Sequence, residues 1–236
     1  MSIADNLRRV RERIARAAEA AGRSANEIML VGATKYVGVA QAIELVEAGC
    51  TDLGESRPQE LWSKAGEVAA DFGELSRAAS GRAVHWHLVG HLQRNKLRRT
   101  LPLVALIHSV DRERLLAAID AEWQTLRAAS SQPVPPIRVL LEVNTSGEPA
   151  KHGLAPAEVE PVLAAAARFP RVEVCGLMTM AALEGGLEVA AKNFATLRQL
   201  ADRFRLQERS MGMSGDFEVA IREGATIVRI GSALWE

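Results

Sequence analysis

Cysteine is scarce in this chain: Cys50 and Cys175 are the only two in 236 residues. They stand far apart among apolar neighbours, so they read as small core residues, and a reducing compartment is the expected home. Charge of one sign is also lacking. The 29 basic and 29 acidic residues cancel, which leaves no electrostatic footprint for nucleic acid or an anionic membrane. No apolar run approaches the length of a membrane span, and the first twenty residues carry charges where a secretory segment would be apolar. Asp5, Glu12 and Glu19 argue against an organelle presequence. A soluble cytoplasmic protein is expected. Tyrosine is limited to one, Tyr36, which later restricts the acid-base chemistry open to the chain.

What is present is a repeat. Residues 2–21 carry a stripe of Ile3, Leu7, Val10, Ile14 and Ala18 at helical spacing, ended by Gly22, with five arginines mostly off the stripe. An apolar strand over 28–35 follows, stopping at Lys35, then a helix over 39–48. The alternation continues with strands over 51–55, 84–90, 104–109, 137–144, 172–178, 209–212 and 226–230. Between them the spacing predicts helices over 58–79, 93–99, 111–129, 156–169, 186–206 and 217–223. Asp111 is the expected N-cap of its helix, and 130–136, rich in Ser and Pro, is the clearest loop. Eight strands alternating with seven helices predict an α/β fold, a (β/α)₈ TIM barrel over residues 1–236 as a single domain. No helix is expected after strand eight, and the N-terminal helix is expected to cover that gap or to close the floor. An open doubly wound sheet is the alternative.

In such a barrel the C-terminal strand ends form the functional face. They would gather Lys35, Glu55 with Ser56, His87, Ser109, Asn144, Met178 with Thr179, Ser214, and Arg229 with Gly231. A lysine there is either solvated or, against apolar walls, an amine able to attack a carbonyl. The small-residue turn Ser210-Met-Gly-Met-Ser-Gly-Asp216 and the segment Arg229-Ile-Gly-Ser232 follow strands seven and eight, where barrels commonly hold phosphate. Gly231 lets backbone approach closely. A phosphate-bearing aldehyde is the economical ligand for the pair of features.

Several blocks together resemble one family. They are Val31-Gly-Ala-Thr-Lys35, Gly54-Glu-Ser-Arg-Pro-Gln-Glu60, His87-Leu-Val-Gly-His-Leu-Gln-Arg-Asn-Lys96, Val143-Asn-Thr-Ser-Gly-Glu148 with Lys151 and Gly153, Gly176-Leu-Met-Thr-Met180, and the two segments near the C-terminus. The chain resembles the pyridoxal phosphate homeostasis proteins, whose barrel is similar to the N-terminal domain of alanine racemases. The resemblance implies a non-catalytic pyridoxal 5'-phosphate (PLP) binding protein of vitamin B6 homeostasis. Lys35 would hold PLP as an internal aldimine, released by Schiff-base exchange. Ser214 and the amides of Gly231 and Ser232 would hold the phosphate, and Arg229 would face the pyridine nitrogen. Ser56, Asn144 and Met178 are carried as further cofactor-site residues. PLP-dependent apoenzymes are the candidate recipients, and a monomer is the expected state. Departures are Ser56 where the family usually has Asn, His152 in place of a small residue, and the tail Ala-Leu-Trp-Glu.

Three other readings stand beside this one. A racemase or lyase would share the barrel, but racemisation needs two opposed acid/base groups. The racemases' second base is a tyrosine from an added domain, whereas Tyr36 lies next to the lysine. A metal-dependent hydrolase is suggested by His85, His87 and His91, but strands five and six end in Asn144 and Met178, so no metal is expected. A Schiff-base aldolase would be colourless without substrate. The cluster Arg94, Lys96, Arg98 and Arg99 is expected to be a solvated helix face.

Overall fold

The computed structural model describes residues 2–75, 83–128 and 135–236. Eight parallel strands pair in chain order and close into a barrel: β1 (Met29–Ala33), β2 (Asp52–Glu55), β3 (His85–Leu88), β4 (Val104–Val110), β5 (Ile137–Glu142), β6 (Val172–Met178), β7 (Glu208–Ser210) and β8 (Ile227–Ile230). Helices alternate with them: α1 (Ile3–Ala20), α2 (Val39–Glu47), α3 (Pro58–Leu75), α4 (Leu97–Thr100), α5 (Glu113–Ala128), α6 (Val159–Ala166), α7 (Gly186–Arg203), α8 (Phe217–Arg222) and α9 (Ser232–Trp235). The expected segments 76–79 and 129–134 lie outside the described residues. No helix among the described residues is long and apolar enough to cross a membrane.

The apolar pattern divides into two layers. Val228 and Ile230 belong to the large cluster between strands and helices, whereas Ile227 joins Val31, Leu106, Leu140 and Met178 in a small cluster inside the barrel. Strand side chains alternate between faces, so Arg229, two residues beyond Ile227, points inward. β8 pairs with β1 in the register Val31↔Arg229, which sets the guanidinium beside the strand that leads to Lys35.

α1 takes the place of an outer-ring helix. Its stripe of Ile3, Leu7, Val10, Ile14, Ala17 and Ala18 is buried, and it packs against α2, α8 and α9. Burial of each of the four larger side chains contributes roughly 1.5–3 kcal/mol. Ser2 caps it by accepting the Asp5 amide, and Arg13 pairs with Glu218 on α8 at 2.7 Å. Of the two places expected for it, the helix thus covers the gap.

One expectation is corrected: a helix does follow strand eight. α9 is a single turn, held by the Asn6 side-chain amide donating to the Leu234 carbonyl (3.1 Å) and by Trp235 Nε1 donating to the Ala33 carbonyl (3.1 Å). Four residues are too short to show a helical period, and its partners lie some two hundred residues upstream. The basic segment 93–99 is also broken, into a 3₁₀ turn at Arg94–Lys96 and α4.

Candidate functional site at the barrel mouth

A cavity of about 460 Å³ opens at the C-terminal strand ends, lined by Lys35, Ser56, Met178, Ser214, Arg229, Gly231 and Ser232 among others. Seven of the eight expected site residues therefore meet. A larger hollow of about 540 Å³ lies at the opposite end, against α1 and the Asp52 end of β2. It holds none of the expected groups.

Lys35 is positioned by what precedes it. β1 ends at Ala33, two residues earlier than expected, because Thr34 turns into the wall: its hydroxyl donates to Glu55 Oε1 (2.7 Å) and its carbonyl accepts from Lys64 Nζ (2.6 Å). Lys64 and Glu55 form a fully buried ion pair, and the Val37 amide closes the turn on the Thr34 carbonyl. Lys35 is consequently a turn residue at the cavity edge, exposed, with its ammonium 4.5 Å above the Tyr36 ring centroid. Of the two alternatives for Lys35, solvated or walled by apolar groups, the structure has the exposed one, with the amine on an aromatic face. Glu55 is likewise turned from the bowl by Lys64, a partner one helix later that a strand-end argument does not reach.

The opposite wall is built by the turn after β7. Gly212 has φ +95° and a Cβ there would lie 2.6 Å from Ala220, so the sharp bend needs glycine. The Met213 amide donates to Asp216 Oδ1 (2.6 Å), and Ser214 Oγ accepts from the amides of Gly231 (3.2 Å) and Ala233 (3.3 Å). The amides of Gly231 and Ala233 thus converge on the Ser214 hydroxyl. The first turn of α9 brings the Ala233 amide round, while Ser232 lines the cavity.

Arg229 is 5% exposed. It donates through Nη1 to Ser210 Oγ and through Nη2 to the Thr179 carbonyl (3.0 Å). Burial pushes its guanidinium down to about 10, with the charges of Asp216 and Glu142 acting the other way. Behind it runs a chain the sequence reading missed: Ser210 Oγ to His108 Nδ1 (2.8 Å), His108 Nε2 to His87 Nδ1 (3.0 Å), and His87 Nε2 to Asp52 Oδ1 (3.2 Å). An ionised carboxylate only accepts and a guanidinium only donates. With both imidazoles neutral, every donor then finds an acceptor in one direction, from the cation at the mouth to the anion near the floor. Burial holds His108 well below the usual imidazole range, and the charge of Arg229 acts in the same direction. Burial alone would raise Asp52, but the hydrogen bond from His87, with a smaller one from Thr51, acts the other way and the net shift is down. The period-2 spacing of Asp52, Gly54 and of His85, His87 was the available signal.

The remaining candidates serve structure. Asn144 does not line the cavity. β5 ends at Glu142, and the Asn144 side chain holds its own loop, accepting the Gly147 amide and donating to the Glu148 carbonyl (2.9 Å). Ser109 Oγ donates to the Gly90 carbonyl, and Thr179 Oγ1 to the Val143 carbonyl. His85 and His87 both approach Asp52, and His87 is buried. His91 is at the other end of β3, so these three histidines do not converge.

The family model described as alanine racemase, N-terminal domain, matches residues 5–236. The pyridoxal phosphate homeostasis protein of Aquifex aeolicus is 38% identical over 100% of this chain and 98% of its own length. The chain belongs to the pyridoxal phosphate homeostasis protein family. The structure of PipY of Synechococcus elongatus with PLP bound is similar at a TM-score of 0.81 and 28% identity, with 100% of each chain covered. An alanine racemase of Clostridium difficile shares the barrel at a TM-score of 0.68 and 15% identity, over 98% of this chain and 56% of that one. At that identity the likeness concerns fold alone.

Proposed function

We propose that residues 1–236 act as a single domain that holds pyridoxal 5'-phosphate covalently but reversibly through Lys35, and stores or delivers it without turning over a substrate. The observation that carries this reading is one cavity lined by Lys35, Ser214, the Gly231–Ser232 segment and Arg229. Its donor set fits the cofactor: a primary amine for an aldehyde, a hydroxyl with adjacent backbone amides for a phosphate, and a guanidinium for a ring nitrogen. When bound, the cofactor supplies an aldehyde that an amine can take up and release, together with an electron-withdrawing ring. Ser214 and the amides of Gly231 and Ser232 anchor the anionic end, and the Tyr36 ring supports the lysine. Arg229 keeps a neighbouring ring nitrogen unprotonated, which weakens carbanion stabilisation and favours holding over catalysis. Tyr36 is 84% exposed and stacked under Lys35, on the same side as the lysine and not opposed to it, which supports a carrier over a racemase. Acceptor apoenzymes in the cytoplasm are the recipients in this reading, and the carrier is a monomer.

The test is spectroscopic. The purified chain is expected to be yellow, to lose its visible band on borohydride treatment, and to yield a peptide modified at Lys35. Lys35→Ala is expected to remove the band with an unchanged circular dichroism spectrum. Persistence of the band in that variant would refute the assignment, and steady release of D-alanine from L-alanine by the wild type would refute the carrier role.

A further inference from the structure

The β3–β5 side of the mouth carries a second group of side chains that the cofactor cavity does not use. His91 follows β3, Asp111 follows β4 and His152 lies in the loop after β5, and one donor atom from each lies within 4.8 Å of the other two. None of the three lines the cavity. The two imidazoles stack, with centroids 5.4 Å apart and planes 26° apart. His91 Nδ1 lies 3.9 Å from Asp111 Oδ2.

Asp111 is the unusual member. Its side chain is only 9% exposed, and its Oδ1 is buried with no hydrogen-bond partner among the described residues. The expected role as helix N-cap is not taken up: α5 begins two residues later, at Glu113. The nearest cation is Arg112, whose Nε stands 3.4 Å from Oδ1 and whose Nη2 stands 3.5 Å from His91 Nε2. Its side chain is 46% exposed. A buried carboxylate whose Oδ1 makes no hydrogen bond, with the half-exposed Arg112 beside that oxygen and His91 facing Oδ2, is a costly arrangement unless a further cation completes it.

The three backbones are fixed while the two imidazoles remain adjustable. Gly90 is held by Ser109, and a Cβ there would lie 2.1 Å from the Ser56 carbonyl oxygen. Gly153 has φ +112° and lies against the Asn144 amide, and the Asn144 side chain ties the loop that carries His152. Tetrahedral ligation at about 2.0–2.1 Å places ligand atoms roughly 3.4 Å apart, so closure needs about 1 Å of movement. Rotation of two exposed imidazoles supplies it.

We propose that His91, Asp111 and His152 form a binding site for one borderline divalent transition-metal ion, with Zn²⁺ as the representative, on the mouth rim beside the cofactor cavity. Two neutral imidazoles and a carboxylate suit such an ion and disfavour Mg²⁺ or Ca²⁺, which require more oxygen donors. Solvent completes the coordination shell on the exposed side. The site does not rest on the cofactor assignment.

The experiment uses the untagged, full-length chain after chelator treatment and dialysis. ZnCl₂ is titrated by calorimetry, and CoCl₂ by its visible d–d absorption after borohydride has removed overlapping cofactor bands. One ion per chain is expected, with Co²⁺ absorption intense enough to indicate four- or five-coordination. His152→Ala and Asp111→Asn are each expected to weaken binding by roughly tenfold or more, while His85→Ala at the other end of β3 leaves it unchanged. His152 is exposed, so its variant tests the site without disturbing the fold, and an unreduced sample of it is expected to keep any cofactor band. Absence of Zn²⁺ binding in the wild type, or binding undiminished in both variants, overturns the proposal.

Discussion

The two sides of the barrel mouth are built on opposite principles. From the β7–β8 side, Arg229 and Ser210 are joined end to end through the barrel interior to His108 on β4, His87 on β3 and Asp52 on β2, each polar atom consuming the next. On the β3–β5 side, two exposed histidines stand beside Asp111, whose buried Oδ1 hydrogen-bonds to nothing among the described residues. Glu142 ends the strand between them, and burial, with the charge of Asp111, pushes its carboxyl up to about 6. A saturated buried network fixes geometry and resists change, because removing one member strands its neighbours. An unsaturated rim is cheap to alter and open to an incoming ligand.

The contrast is sharpest in the response to substitution. Arg229→Ala removes the donor to Ser210 and to the Thr179 carbonyl inside the barrel, and a loss of about 2–4 kcal/mol of stability is expected, measured by urea unfolding. Next comes pH. His108 is neutral when folded and binds a proton more readily when unfolded, so the unfolded state takes up more protons as pH falls below about 6.5. Stability is therefore fully present above that value and lost below it, by up to about 1.4 kcal/mol per pH unit. Melting curves at pH 7.5 and 5.0 should show this slope, and His108→Gln should flatten it. The smallest effect is expected from Asp111→Asn without metal: within about 0.5 kcal/mol of wild type, since it gives up no hydrogen bond. If Asp111→Asn destabilised as much as Arg229→Ala, the division of the mouth into a saturated and an open side would be wrong.

How much of this was legible depended on the range of the signal. Alternating apolar strands and striped helices gave the barrel, because periods of 2 and 3.6 are local properties of the chain. The Ser214 turn and Arg229-Ile-Gly-Ser232 were legible for the same reason, as short blocks with fixed offsets. The end of β1 was misplaced by two residues, since Thr34 is drawn into the wall by Lys64, thirty residues on. Asn144 was placed in the site as the last residue of a strand over 137–144, but β5 stops at Glu142 and the Asn144 side chain turns back to hold its own loop.

By itself the sequence determined which residues alternate, which turns need glycine, and which blocks place the chain in its family. Only the tertiary structure decided which side chains at the strand ends share a cavity, which are consumed by buried partners, and which three meet at the rim. The physical reason is that hydrogen-bond satisfaction inside a closed barrel is a property of strands set side by side. Ser210 and His108 are 102 residues apart and 2.8 Å apart, and nothing local in either segment announces the other.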